Sequence, residues 1–259
     1  MISFTHPESH YPPSSPTRDA RHHHPWANKA NGWLAYAFLG APHAAPPLSA
    51  ILNARLQAAD SETRYEPEVP GGRMRPDGVE IKWELTTPAR WNEKKGGSRL
   101  PFFCGDVTPR DLRVRVPPYL QVVIYHAAYR RCQVPTRPES NTVHPNAAQG
   151  IAHLRALAPP RTFAAVSAEL TAIVGEAPIE GPAGAHVWLL DLLPGGVMVD
   201  LRLHPRLVLC EPDASNEAEM RFVESHGAGL FEVGVRVDED GGKRGSSETP
   251  FGRVAWIPV

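Results

Sequence analysis

Gly71-Gly72-Arg73-Met74-Arg75 sets two guanidinium groups beside a pair of glycines, where a backbone can approach a ligand closely. Arginine forks at that spacing can grip a carboxylate or phosphate bidentately. The same side chains can instead brace the following turn by pairing with Asp77 or Glu84, and the residues alone favour this plainer role. Farther along, His153 shares one side of a short apolar segment with Arg155, while Ala152, Leu154 and Ala156 occupy the other. Glu211 ends a later segment on the same side as Leu207 and Leu209. If those two segments are neighbouring strands, an imidazole and a carboxylate converge and can share a hydrogen bond. His22-His23-His24 is a weaker signal, because three adjacent side chains cannot all face one ion. The chain carries no phosphate-binding Walker loop, no nucleophile elbow and no HExxH pair.

These residues have to be positioned by short elements. Pro and Gly number 28 and 21, which favours brief strands and helices joined by loops. The apolar run from Gly32 to Leu39 suits a buried strand. After Pro46-Pro47, the spacing of Leu48, Ile51, Leu52 and Leu56 predicts an amphipathic helix to about Asp60. Val79, Ile81, Trp83 and Leu85 alternate with Glu80, Lys82 and Glu84, the period of a strand with one face in the core. Asp77-Gly78 supplies the turn before it, and Pro88 ends it. Leu100 to Cys104 reads as a further strand.

The order then recurs. Gly150 to Leu157 reads as a strand, and Pro159-Pro160 open a helix whose apolar face is Phe163, Val166, Leu170, Ile173 and Val174, closed by Gly175. Strands are expected at 186–190, 206–211, 230–237 and 254–257. Residues 32–107 and 150–211 therefore repeat a βαβββ unit, and because one unit leaves a sheet face bare, the two are expected to pair. The resulting division is 1–29 as a Pro- and His-rich segment, 30–116 and 147–237 as the two modules, 117–146 as a linker with an insertion, and 238–259 as a terminal loop and strand.

Composition narrows the partners. The formal net charge is −1, so there is no basic footprint for nucleic acid and no polybasic membrane anchor. Clusters such as Arg130-Arg131 and Lys94-Lys95 are short and scattered. No apolar run nears the roughly 20 residues that span a bilayer, and the first residues lack the basic and apolar regions of a secretory signal. Three separated cysteines fit neither a disulfide framework nor a zinc ribbon. The expected setting is cytoplasmic and reducing, and the expected partner is a small molecule, with room for a homodimer.

The stretch from Gly71 to Leu85, followed by Gly96-Gly97 and Leu100-Pro-Phe-Phe103, resembles the signature of glyoxalase-like proteins of the vicinal-oxygen-chelate superfamily. Val143 to Ile151 and Cys210 to Glu217 resemble fungal members of that branch. The resemblance implies an α+β fold of repeated βαβββ modules forming a curved mixed sheet with outer helices. It also implies a divalent metal, whether Zn, Fe, Mn, Ni or Co, held by His, Glu or Gln side chains from paired modules and acting as a Lewis acid on a substrate with vicinal oxygens. Carried onto this chain, the metal ligands are His153 and Glu211, the catalytic carboxylates Glu211 and Glu84, and the substrate contacts Arg73, Arg75, Arg155 and Trp83. Glu80 is a further candidate beside Glu84. Tyr36 stands where the first module would otherwise offer a ligand His.

The activity implied is that of a metal-dependent lyase, isomerase or dioxygenase, and the alternative is a metal-free module that sequesters a small molecule. Family members also begin with an additional βα unit and strand ahead of the segment matching Phe4-Thr-His-Pro. By that measure the chain is expected to be an incomplete version of its protein, inactive or only weakly metal-binding, and residues 124–141 to be an insertion or a retained intron.

Overall fold

The computed structural model describes residues 33–89, 99–109, 112, 148–190, 204–237, 245–249 and 252–258. The expectations resting on the start of the chain, on His22 to His24 and on 124–141 lie outside the described residues.

The first unit runs β1 (Ala37–Leu39), α1 (Leu48–Ala58), β2 (Val69–Met74), β3 (Glu80–Thr86) and β4 (Phe102–Asp106). Its sheet has the order β1-β4-β3-β2, with β1 parallel to β4. The second runs β5 (Ala148–Leu157), α2 (Pro160–Val174), β6 (Ile179–Glu180), β7 (His186–Leu189) and β8 (Arg206–Cys210). Here too the first strand pairs in parallel with the last, giving β5-β8-β7-β6. The repeat read from the pattern is thus the same strand order built twice, and the fold is the α+β architecture of βαβββ modules.

Among the described residues the two units form separate sheets. The open edge of β5 is taken by β9 (Gly229–Val237), which follows the short helix α3 (Glu217–His226) and lies antiparallel to β5. Beyond β9 lie β11 (Gly252–Pro258), parallel to it, and β10 (Gly245–Thr249). The second sheet therefore reads β10-β11-β9-β5-β8-β7-β6. The terminal strands repeat the module's first, third and fourth positions, so the second unit pairs with this C-terminal half-module and not with the first unit. Once β9 occupies that edge, β5 has no ladder groups left for the first sheet.

Contact between the units runs through their helices. Leu52 and Leu56 of α1 and Val166, Leu170 and Ile173 of α2 belong to one core cluster with Tyr36, Phe103, Trp188 and Leu207. Both helices start directly after a proline, where the missing N–H costs nothing. Gly175 then closes α2 in the left-handed region at φ 88°. Each buried leucine contributes about 1.5–3 kcal/mol by leaving water. A polar staple is set into this apolar seam. The buried carboxylate of Glu169 accepts Thr63 Oγ1 at 2.6 Å, Ser61 Oγ at 2.9 Å and Arg99 Nη2 at 3.2 Å, tying α2 to the segment after α1. Each helix covers one face of its own sheet. In the second sheet the opposite face is the one that carries charge.

Candidate functional site

Alternation along β5 puts Leu154 and Ala156 against the core and turns His153 and Arg155 the other way. The register then decides what joins them. His153 lies opposite Arg206 on β8 and Gly234 on β9, while Arg155 lies opposite Glu232. Glu232 in turn faces Arg253 on β11. Residues in register share a face, so His153, Arg155, Arg206, Glu232, Arg236 and Arg253 all stand on the side away from α2.

Glu232 is the hub of this face. Its Oε1 lies 2.8 Å from His153 Nε2, and its Oε2 forms a 2.8 Å ion pair with Arg253 Nε. Burial pushes the Glu232 carboxyl up. The hydrogen bond from His153 and the charges of His153, Arg253 and Arg155 outweigh that and hold it below the usual glutamate range. Gly234 makes the geometry possible. A Cβ at that position would come within 2.4 Å of His153 Cε1 and Nδ1, so the imidazole reaches Glu232 by passing over bare backbone. Arg155 is satisfied separately. Burial opposes its charge, but hydrogen bonds to Glu219, at 2.9 Å on α3, and to Cys210 hold it protonated above the Phe231 ring.

Arg206 and Arg236 are different. Among the described residues neither has a carboxylate within ion-pair reach, although Arg236 is only 9% exposed. Burial, and after it the like charge of Arg206, press the Arg236 guanidinium below its ordinary value.

The residues singled out in the sequence fall in three places. His153 and Arg155 are on the charged face. Glu211 is exposed one residue beyond the end of β8, and no hydrogen bond or ion pair joins it to His153 among the described residues. Trp83, Glu84, Glu80, Arg73 and Arg75 belong to the first sheet. There, Arg75 braces the turn through Asp77 at 2.5 Å, and the exposed Arg73 lies opposite Ile81. Glu84 accepts the backbone N–H of His43 at 3.0 Å and pairs with its ring at 2.9 Å. The Trp83 indole lies over Gly71, where a Cβ would be 2.3 Å from Nε1. A cleft of about 380 Å3 lies here beside His43, Gly72 and Lys82. Tyr36 is buried in the core, with its hydroxyl 3.3 Å from the Arg99 carbonyl.

Glu232, Arg236, Arg206, Arg253 and Glu219 were not foreseen. A signal for the first two is present in Leu230 to Val237, where Glu232, Gly234 and Arg236 alternate with Val233, Val235 and Val237. Glu219 is announced by Asn216, three residues earlier, whose side chain caps α3 by accepting the backbone N–H groups of Ala218 and Glu219.

The fit of a divalent metal can be judged from the donors present. His153 and Glu232 offer one imidazole and one carboxylate, and that carboxylate is already neutralised by Arg253. Among the described residues no three His, Cys, Asp or Glu side chains gather where they could hold a metal ion. The groups that surround the pair are guanidiniums. This donor set does not fit a divalent cation. No helix among the described residues is long and apolar enough to cross a membrane.

Comparison with known proteins places the chain. A comparison with curated protein sequences gives no match. Among solved structures, a hypothetical protein from Staphylococcus aureus is similar at 9% identity and a TM-score of 0.45, over 80% of this chain and 61% of that one. The chain thus spans about six-tenths of that protein's length. Methylmalonyl-CoA epimerase from Mycobacterium tuberculosis is similar at 14% identity and a TM-score of 0.29, over 45% of this chain and 91% of the epimerase. A fusion of a xylose isomerase-like TIM barrel with 4-hydroxyphenylpyruvate dioxygenase gives 12% identity and a TM-score of 0.24, over 81% and 37%. The sequence profile of the glyoxalase-like domain matches residues 2–173, well over half of the chain. The chain belongs to the glyoxalase-like domain family.

Proposed function

We propose that this chain is a small-molecule-binding member of its family that works without a resident metal, holding its ligand on the open face of the second sheet around His153. The observation that supports this most is the closed chain His153–Glu232–Arg253. In it, the one carboxylate beside the one imidazole is already engaged by a guanidinium. A carboxylate so engaged is a poor metal ligand but a good orienter of an imidazole, fixing which ring nitrogen carries a proton. His153 is then a positioned hydrogen-bonding group for a ligand, with Arg155 beside it. The second reading is a metal-dependent lyase, isomerase or dioxygenase, and it draws on the same imidazole–carboxylate contact as two of the ligands such a site needs.

Metal analysis of the purified chain, with calorimetric titration of Zn2+ and Mn2+, separates the two. The expected result is less than stoichiometric metal and no saturable binding that depends on His153. One bound ion per chain, lost in both His153→Ala and Glu232→Gln, would overturn the metal-free reading and establish the second.

A further inference from the structure

We propose that Arg206 and Arg236 form an oxyanion-binding subsite beside His153, so that the ligand of this face carries a phosphate or a pair of carboxylates. The inference rests on the reading that this face is the ligand site, and it names the chemistry of what binds there.

Four guanidiniums stand on the face, and two have carboxylate partners: Arg155 with Glu219 at 2.9 Å and Arg253 with Glu232 at 2.8 Å. Among the described residues, Arg206 and Arg236 are left over. An arginine at the surface needs no partner, but Arg236 is nine-tenths buried. A charge partly withdrawn from water without a counter-ion carries a cost, and a second like charge nearby adds to it. Such a pair persists where a ligand supplies the missing negative charge.

The positions suit that role. Arg206 lies opposite His153 across the β5–β8 pair, and Arg236 lies two residues along β9 from Gly234, on the far side of His153. The two arginines therefore stand on the strands either side of His153. Beside Arg236 there is open space among the described residues: a Cβ on Gly150, opposite it, would meet no atom within 4 Å. Planar forks on two neighbouring strands match the spread oxygens of a phosphate or a dicarboxylate, which a single lysine would not.

The test uses the full chain and follows the His153 ring protons by NMR while inorganic phosphate, malonate and a set of neutral small molecules are titrated at constant ionic strength. Phosphate or malonate should shift the His153 resonance saturably, and whichever binds more tightly identifies the group. Arg206→Gln should weaken that binding about 10- to 100-fold. Arg236→Gln should do the same, and because Arg206 is exposed its variant tests the point even if the buried substitution impairs folding. Arg221→Gln, on the exposed side of α3, should leave binding unchanged. The oxyanion subsite is overturned if the anions leave His153 unmoved while a neutral compound moves it, an outcome under which the ligand face itself stands. If no compound of either kind perturbs His153, the ligand face falls as well. Equal weakening by the Arg206 and Arg221 variants would reduce the effect to general charge and also overturn the subsite.

Discussion

Gly234→Ala tests the arrangement on which the charged face depends. The added Cβ would sit 2.4 Å from two atoms of the His153 ring. Non-bonded carbon contacts settle at about 3.5–4.0 Å, so something has to move by about 1 Å or more. The imidazole is the end of a side chain, whereas Gly234 is fixed in the β5–β9 ladder, so the ring swings away and the 2.8 Å contact with Glu232 breaks. A hydrogen bond to a charged partner is worth about 1.5–3 kcal/mol. Against this, alanine in a strand gains about 0.5–1 kcal/mol over glycine through the unfolded state. The net expectation is a destabilisation of about 1–2 kcal/mol, read by urea denaturation.

A double-mutant cycle isolates the cause. In a His153→Ala background the ring is gone, and Gly234→Ala should become neutral or stabilising by up to about 1 kcal/mol. A cost that persists undiminished in that background would refute the reasoning, because the glycine would then be required for the backbone and not for the imidazole.

Two further expectations rest on other parts of the molecule. The Glu232 carboxyl is held below its ordinary value of 4.5, so its contribution to stability is present above that pH and is lost as pH falls through the lower folded value. Glu232→Gln should therefore flatten the acid limb of a stability-against-pH curve, and an unchanged limb would count against the hub. Leu170→Ala, at a fully buried position in the core common to both units, should cost about 2–5 kcal/mol and shift one common transition, whether followed by tryptophan emission or far-UV circular dichroism. Two separated transitions, only one of them displaced, would mean that the units fold independently.

How much of this could be read from the chain depended on where apolar side chains carried the pattern. The helices α1 and α2 and the strands β3, β5, β8 and β9 announce themselves because each buries a regular apolar face, and Pro-Pro marks both helix starts. β2 escaped because Pro70, Gly71 and Gly72 interrupt any alternation in Val69-Pro-Gly-Gly-Arg-Met74, which buries no apolar face. It is a strand because β3 pairs with it, and its glycines admit the Trp83 indole. Likewise β10, Gly245-Ser-Ser-Glu-Thr249, is an exposed edge with nothing to bury, and α3 is set by its Asn216 cap more than by an apolar stripe. The pairing of the sheets was hidden for a related reason: edge choice is made by backbone groups, which are the same in every strand, so a repeat shows that modules must pair without showing which ones do. The site inherited that gap. His153 and Arg155 were visible as polar residues on an otherwise apolar strand, but the carboxylate that meets them comes from β9, the strand whose place in the sheet the pattern does not encode. Glu211, the nearer candidate in sequence, follows β8 on the parity of Leu207 and Leu209, and both of those leucines are buried in the core, on the side of the sheet away from His153. A convergent pair of residues is therefore readable from sequence only as far as strand order is, and here strand order was decided by the last thirty or so residues of the chain.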